Sequence, residues 1–170
     1  MYKLFLAILL MTNIAAGAQT KSYDTSRDAK NGQLVFNGPI TFSDLFSEPS
    51  FTWLQSGIDE YKPNAEAVAM LQSRLKEYAI VIFIGTWCDD SHYLLPKLTK
   101  VLQQAGYPLT GVTMFGTDRE KKTKNGEQTQ YGITLVPTII LLKNGKEAGR
   151  ITESALKSVE EDLAKIISEK

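Results

Sequence analysis

One cysteine and one histidine stand in 170 residues, and each scarcity removes a class of explanation. A lone cysteine cannot close an internal disulfide, so the chain is not a small stapled scaffold. One thiol and one imidazole are too few soft ligands for a zinc centre, and no metal site is expected. Neither sign of charge is in excess, with 19 Lys and Arg against 19 Asp and Glu. No global field therefore recruits polyanions, and nucleic acid is not an expected partner. The polar stretch Thr117–Gln130 holds Arg119, Lys121, Lys122 and Lys124, but it has no glycine-rich phosphate cradle and no interleaved aromatics. It reads as a solvated loop and short helix, and no cofactor is expected. Internal repeats, low-complexity blocks and long linkers are also missing, which leaves one domain as the economical organisation.

What is present begins with the N-terminus. Lys3 precedes the apolar run Leu4–Met11, and Ala16-Gly17-Ala18 supplies the small residues of a cleavage site. The pattern predicts a secretory signal over 1–18 with a mature chain from Gln19, hence a secreted or periplasmic protein. The run is well short of the ~20 residues that span a bilayer, so no stable membrane anchor is expected after cleavage. In an oxidising compartment an odd thiol signals intermolecular pairing or a reactive group. The alternative is a buried, inert cysteine acting as a small hydrophobe.

Local patterns place that thiol. Ala79–Gly85 is a run of β-branched and aromatic residues that reads as a buried strand, and from about Asp89 to Ala105 apolar residues recur at helical spacing. Cys88 falls at the junction, where unpaired N–H groups and the positive end of the helix dipole favour thiolate. Pro96 lies inside that helix and predicts a kink. Asn64 is read as the N-cap of a helix to about Tyr78, with a strand over Pro108–Phe115 and a hairpin at Asn144-Gly145. A last helix over Ser154–Ile167 is expected to bury Leu156, Val159, Leu163, Ile166 and Ile167. Upstream, Thr20–Asn37 reads as a loose arm with a short strand at Leu34-Val35-Phe36. Thr41–Tyr61 reads as short helical turns, with Trp53 as a core anchor.

Trp87-Cys88-Asp89-Asp90-Ser91 resembles the W-C-x-x-C motif of the thioredoxin family, with serine in place of the second cysteine. Pro96, eight residues after Cys88, and Tyr131-Gly132-Ile133-Thr134-Leu135-Val136-Pro137-Thr138 lie at that family's distances, so the likeness runs from Ala79 to about Ile151. The resemblance implies an α/β thioredoxin-like fold, a central mixed sheet flanked by helices, with the domain proper over 63–170; the residues over 19–62, outside the likeness, read as an N-terminal helical extension. It implies a site of Trp87, Cys88, Ser91 and Pro137. It also implies a cis Val136–Pro137 bond, with Val136 and Thr138 aligning an extended substrate across the thiol by strand addition. Thioredoxins commonly carry a buried aspartate six residues before the cysteine, taken to deprotonate the second thiol; here that position is Ile82.

A thiolate attacks a disulfide to form a mixed disulfide, which a second thiol in the same chain would then resolve. Ser91 cannot do so, and an internal dithiol cycle is excluded on stoichiometry. What remains is disulfide reshuffling, holding partners as mixed disulfides, or monothiol reduction completed by a small thiol. Cysteine-containing proteins and small thiols are thus the expected partners. Near Cys88, the helix dipole and a Ser91 hydroxyl favour thiolate while Asp89 and Asp90 oppose it, each on the order of 1 kcal/mol. Those carboxylates have an equal reading as first-turn helix stabilisers. His92, one turn further on, is read either as pairing with the thiolate or as exposed helix surface. The rival function is a redox-inactive thioredoxin-fold module that binds peptides as a chaperone would, with Cys88 incidental. A thiol that senses redox state through a small-molecule cap is a third.

Overall fold

Alternation along one strand decides how the chain divides around its sheet. The structure, a computed structural model, describes residues 21–169, so the expected leader over 1–18 lies outside the described residues. In β3 (Tyr78–Ile84) successive side chains point to opposite faces, as strand geometry requires. Ile80, Ile82 and Ile84 enter a large core, while Val81 and Phe83 enter a smaller one on the other face. All five are almost fully buried. Both faces of β3 are covered, which is why its sequence is a continuous apolar run.

Among the described residues six strands form the sheet. They are β1 (Asp24–Arg27), β2 (Leu34–Ile40), β3, β4 (Val112–Gly116), β5 (Thr138–Lys143) and β6 (Lys146–Thr152), in the order β1-β2-β4-β3-β5-β6. Only β3 and β4 run parallel, with Ile82 opposite Met114; every other neighbouring pair is antiparallel. The fold is thus the expected mixed α/β sheet flanked by helices.

The extension differs from a purely helical one. Its polar arm forms the β1–β2 hairpin, and Gly38–Ile40 of β2 pairs with β4. The turn between the strands is held by Asp28, whose Oδ1 accepts the N–H groups of Lys30 and Asn31, a role suited to a short carboxylate. Two helices follow, α1 (Phe42–Phe46) and α2 (Thr52–Glu60), the first closed by a capping box between Thr41 and Asp44. Phe36, Phe42, Leu45, Phe51, Leu54 and Ile58 all join the large core.

The remaining helices are α3 (Ala65–Arg74), α4 (Asp89–Gln104), α5 (Glu127–Gln130) and α6 (Val159–Ser168). Asn64 caps α3 by accepting from Glu66 and Ala67 N–H. That helix stops before the expected Tyr78, because a 3-10 turn over Leu75–Glu77 delivers Tyr78 into β3. The expected strand over Pro108–Phe115 likewise opens with a 3-10 turn, Leu109–Gly111. In α6 the N-cap is Ser158, which accepts from Glu161 N–H, so the helix starts at Val159, five residues after the expected Ser154. Leu156 is left outside it and 90% exposed, whereas Val159, Leu163, Ala164 and Ile167 are buried. Pro96 sits within α4, against α2: a Cβ at Gly57 would lie 2.7 Å from the Pro96 Cβ, so that contact requires glycine.

Candidate functional site

Chain geometry after β3 brings the thiol to the surface. Gly85 ends the strand, and its missing side chain leaves space for the Trp87 indole, whose Cε2 would otherwise be 2.7 Å from a Cβ. The Cys88 N–H then folds back on the Gly85 carbonyl at 2.9 Å, and the Cys88 carbonyl receives the first helical bond of α4, from His92 N–H at 3.0 Å. Cys88 is therefore the N-cap residue of α4, but its side chain caps no N–H group. It is half-buried, packed against the smaller core. As a thiol, Sγ–H donates to the Val136 carbonyl at 3.6 Å, and Val136 is joined by a cis peptide to Pro137. The sulfur of this half-buried residue thus faces the turn before β5 at the start of α4.

The other residues singled out from sequence take varied places. Trp87 is 7% exposed; its Nε1–H donates to the Thr117 carbonyl at 2.8 Å, and its ring belongs to the smaller core with Phe83, Phe115 and Val136. Asp89 and Asp90 occupy the first turn of α4, where negative charge complements the dipole. Ser91 is fully buried and its Oγ accepts the Gly85 N–H at 3.1 Å, so the hydroxyl fixes the end of β3. Thr138 is also buried, and its hydroxyl donates to the Leu135 carbonyl at 2.8 Å, shaping the Val136–Pro137 turn from beneath. Of this turn, Leu135 is the apolar side chain that reaches solvent.

His92 matches neither expectation. Its Nε2 lies 2.9 Å from the Thr86 carbonyl, and since a carbonyl only accepts, that nitrogen carries a proton. The ring stacks on Trp53, with centroids 4.3 Å apart and planes 17° from parallel. Trp53 is half-buried against the large core, so its indole serves both as packing and as the platform for His92. The side of α4 that meets α2 fixes the imidazole, and its bonded nitrogen is directed at backbone.

Residues 64–169 match the family model described as Thioredoxin. The chain belongs to the thioredoxin family. Among curated relatives, the chloroplastic thioredoxin Y of Oryza sativa subsp. japonica is 34% identical over 86 residues, covering 51% of this chain and 48% of that protein. The thioredoxin of Chlamydia muridarum is 33% identical over 89 residues, covering 52% of this chain and 78% of that one. The chain therefore spans about half the length of the rice relative. A solved structure of a Pseudomonas aeruginosa protein of unknown function superposes with a TM-score of 0.58 at 12% identity, over 77% of this chain and 93% of that one, a likeness of fold alone. Thiol–disulfide redox chemistry is what a thioredoxin-like domain suggests in general, and Cys88 is the single cysteine of this chain.

Sequence reasoning missed the residues that the extension brings to this thioredoxin-like site. Thr86 is fully buried; its hydroxyl donates to the Leu34 carbonyl at 2.8 Å and accepts the Phe36 N–H at 3.0 Å. Asn31 Nδ2 donates to the Trp87 carbonyl at 3.2 Å. Arg119, assigned from sequence to a solvated loop, pairs with Asp28 and lies over Trp87, its guanidinium carbon 4.6 Å from the ring centroid. Its two bonds to the carboxylate, together with the N–H groups of Asn31 and Lys30, hold the Asp28 carboxyl well below the usual carboxylate range against the opposing pull of burial. No local signal marks these residues, because their partners lie dozens of positions away.

Proposed function

We propose that this chain is an exported monothiol protein that acts by thiol–disulfide exchange on cysteine-containing proteins, forming or isomerising mixed disulfides. The observation that carries the reading is the placement of Cys88: a half-buried sulfur at the N-cap of α4, 3.6 Å from the carbonyl of Val136 beside Pro137. Attack by the Cys88 thiolate on a substrate disulfide forms one S–S bond and releases one substrate thiolate, so electrons balance within the complex. Resolution then falls to another thiol of the substrate or to a small thiol, since Ser91 offers no sulfur and its hydroxyl is engaged with Gly85. The Val136 backbone, whose carbonyl faces the sulfur just before β5, supports alignment of a substrate strand across it. Export rests on the Lys3, Leu4–Met11 and Ala16-Gly17-Ala18 pattern.

The test is capture. Protein from the native host's extracytoplasmic fraction, alkylated and run without reductant, is expected to carry disulfide-linked partners identifiable by mass spectrometry. Cys88→Ala is expected to lose all of them. Recovery of the same partners by Cys88→Ala, bound without a covalent link, would instead establish a peptide-binding module with an incidental thiol.

A further inference from the structure

A buried carboxylate and a cation from two segments 91 residues apart meet beside the site. Asp28, in the turn between β1 and β2, has a side chain 4% exposed, and Arg119, in the loop after β4, grips it with two bonds at 2.5 and 2.7 Å. Such a bidentate pair fixes the guanidinium plane as well as its position. That plane lies over the Trp87 ring, and the same turn holds the Trp87 carbonyl through Asn31. Trp87 is in turn the residue before Cys88. The hairpin is outside residues 64–169, so this arrangement is an addition to the matched thioredoxin region.

We propose that the Asp28–Arg119 pair is a positioning element of the Cys88 site: it holds the Trp87 ring beside the thiol and, through its opposed charges, sets how readily Cys88 carries a thiolate. The proposal rests on the reading of Cys88 as an exchanging thiol. Arg119 is held in its charged form above all by its bonds to Asp28. A cation over the ring of the residue that precedes Cys88 is close enough for its field to act on negative charge forming at the sulfur, and the Asp28 carboxylate opposes that field. The other ionisable groups near the pair and the thiol are Asp89 and Asp90 in the first turn of α4, His92, bonded to the Thr86 carbonyl, and Lys30 in the Asp28 turn. The Arg119 loop adds Asp118, Glu120, Lys121 and Lys122, with Lys121 6.0 Å from the Trp87 ring centroid and Lys122 paired with Glu120. Ile133–Thr138, across the sulfur, contributes no ionisable side chain. Asp28 therefore acts as a counterweight, cancelling part of the Arg119 field.

Opposed charges make opposed predictions. In the full chain, the pH profile of Cys88 alkylation by iodoacetamide is expected to move to lower pH in Asp28→Asn, which keeps an oxygen for the turn N–H groups but frees the Arg119 charge. In Arg119→Gln, which leaves Asp28 uncompensated, the profile is expected to move to higher pH. Each shift is about half a pH unit, or about threefold in rate at neutral pH, the scale of a partly screened charge. Arg119→Lys, which keeps the charge, is expected to stay near the parent midpoint. Profiles that do not move, or that move in the same direction in both charge-removing variants, overturn the proposal. If Arg119→Gln does not fold by circular dichroism, the direction of the Asp28→Asn shift decides alone. Alkylation requires no disulfide partner, so failure here is distinct from failure to capture partners.

Discussion

Thr86 shows how much of this site is held by single side chains that do no chemistry. Its hydroxyl satisfies two buried backbone groups of β2, the Leu34 carbonyl and the Phe36 N–H, while its own carbonyl receives His92. Thr86→Val keeps the shape and leaves both β2 groups unpaired, a cost of about 2 kcal/mol or more. The expected result is a lower midpoint of chemical unfolding and earlier proteolysis in the β1–β2 turn, both reversed in Thr86→Ser. A Thr86→Val protein as stable as the parent would mean that water reaches those groups. Sequence marked Thr86 only as a neighbour of Trp87; its partners lie 50 and 52 positions away. Ser91 was legible as the missing second thiol, yet its role as the acceptor for Gly85 depends on how tightly α4 follows β3.

At the scale of elements, the contact between α2 and α4 fixes the side of the active helix away from the sulfur. Gly57 and Pro96 meet there, and a methyl group at Gly57 would fall 2.7 Å from the rigid proline ring. Gly57→Ala should gain up to about 1 kcal/mol of helix propensity but force the helices apart, at about 1–3 kcal/mol for overpacking. The packing term wins, and the expected outcome is a reduced Tm together with weakened stacking of His92 on Trp53. A raised Tm would show that α2 can withdraw freely. Periodicity located α3 and α4, since a helix face is a local property, whereas Thr41–Tyr61 read only as short helical turns, which the structure resolves into α1 and α2. Start sites were less legible: Ser154 and Ser158 are both good cap residues, and burial of Val159 rather than Leu156 selects the second.

For the molecule as a whole, two carboxylates that join distant segments make stability depend on acid. Asp28 is held well below the usual range by Arg119. Burial pushes the Glu160 carboxyl up, but bonds from the Asn64 N–H and the Tyr61 hydroxyl outweigh it and hold it low, tying α6 to the entry of α3. A carboxyl depressed in the folded state contributes stability in full above its unfolded value, about pH 4, and loses it as pH falls through the folded value. Tm is therefore expected to hold down to about pH 5 and to drop below about pH 4. Glu160→Gln should lower Tm at neutral pH and flatten that drop; a curve parallel to the parent's would remove Glu160 from the account. Sequence by itself determined the family, the strand-to-helix junction that bears Cys88, and the lack of a second thiol, because each is written in neighbouring residues and their short-range periodicity. Tertiary structure alone decided that the hairpin belongs to the site, that Arg119 lies on Trp87 and that His92 turns to backbone. Those contacts are chosen by whole-chain packing around a shared sheet, and residues separated by most of the chain carry no local mark of where they will meet.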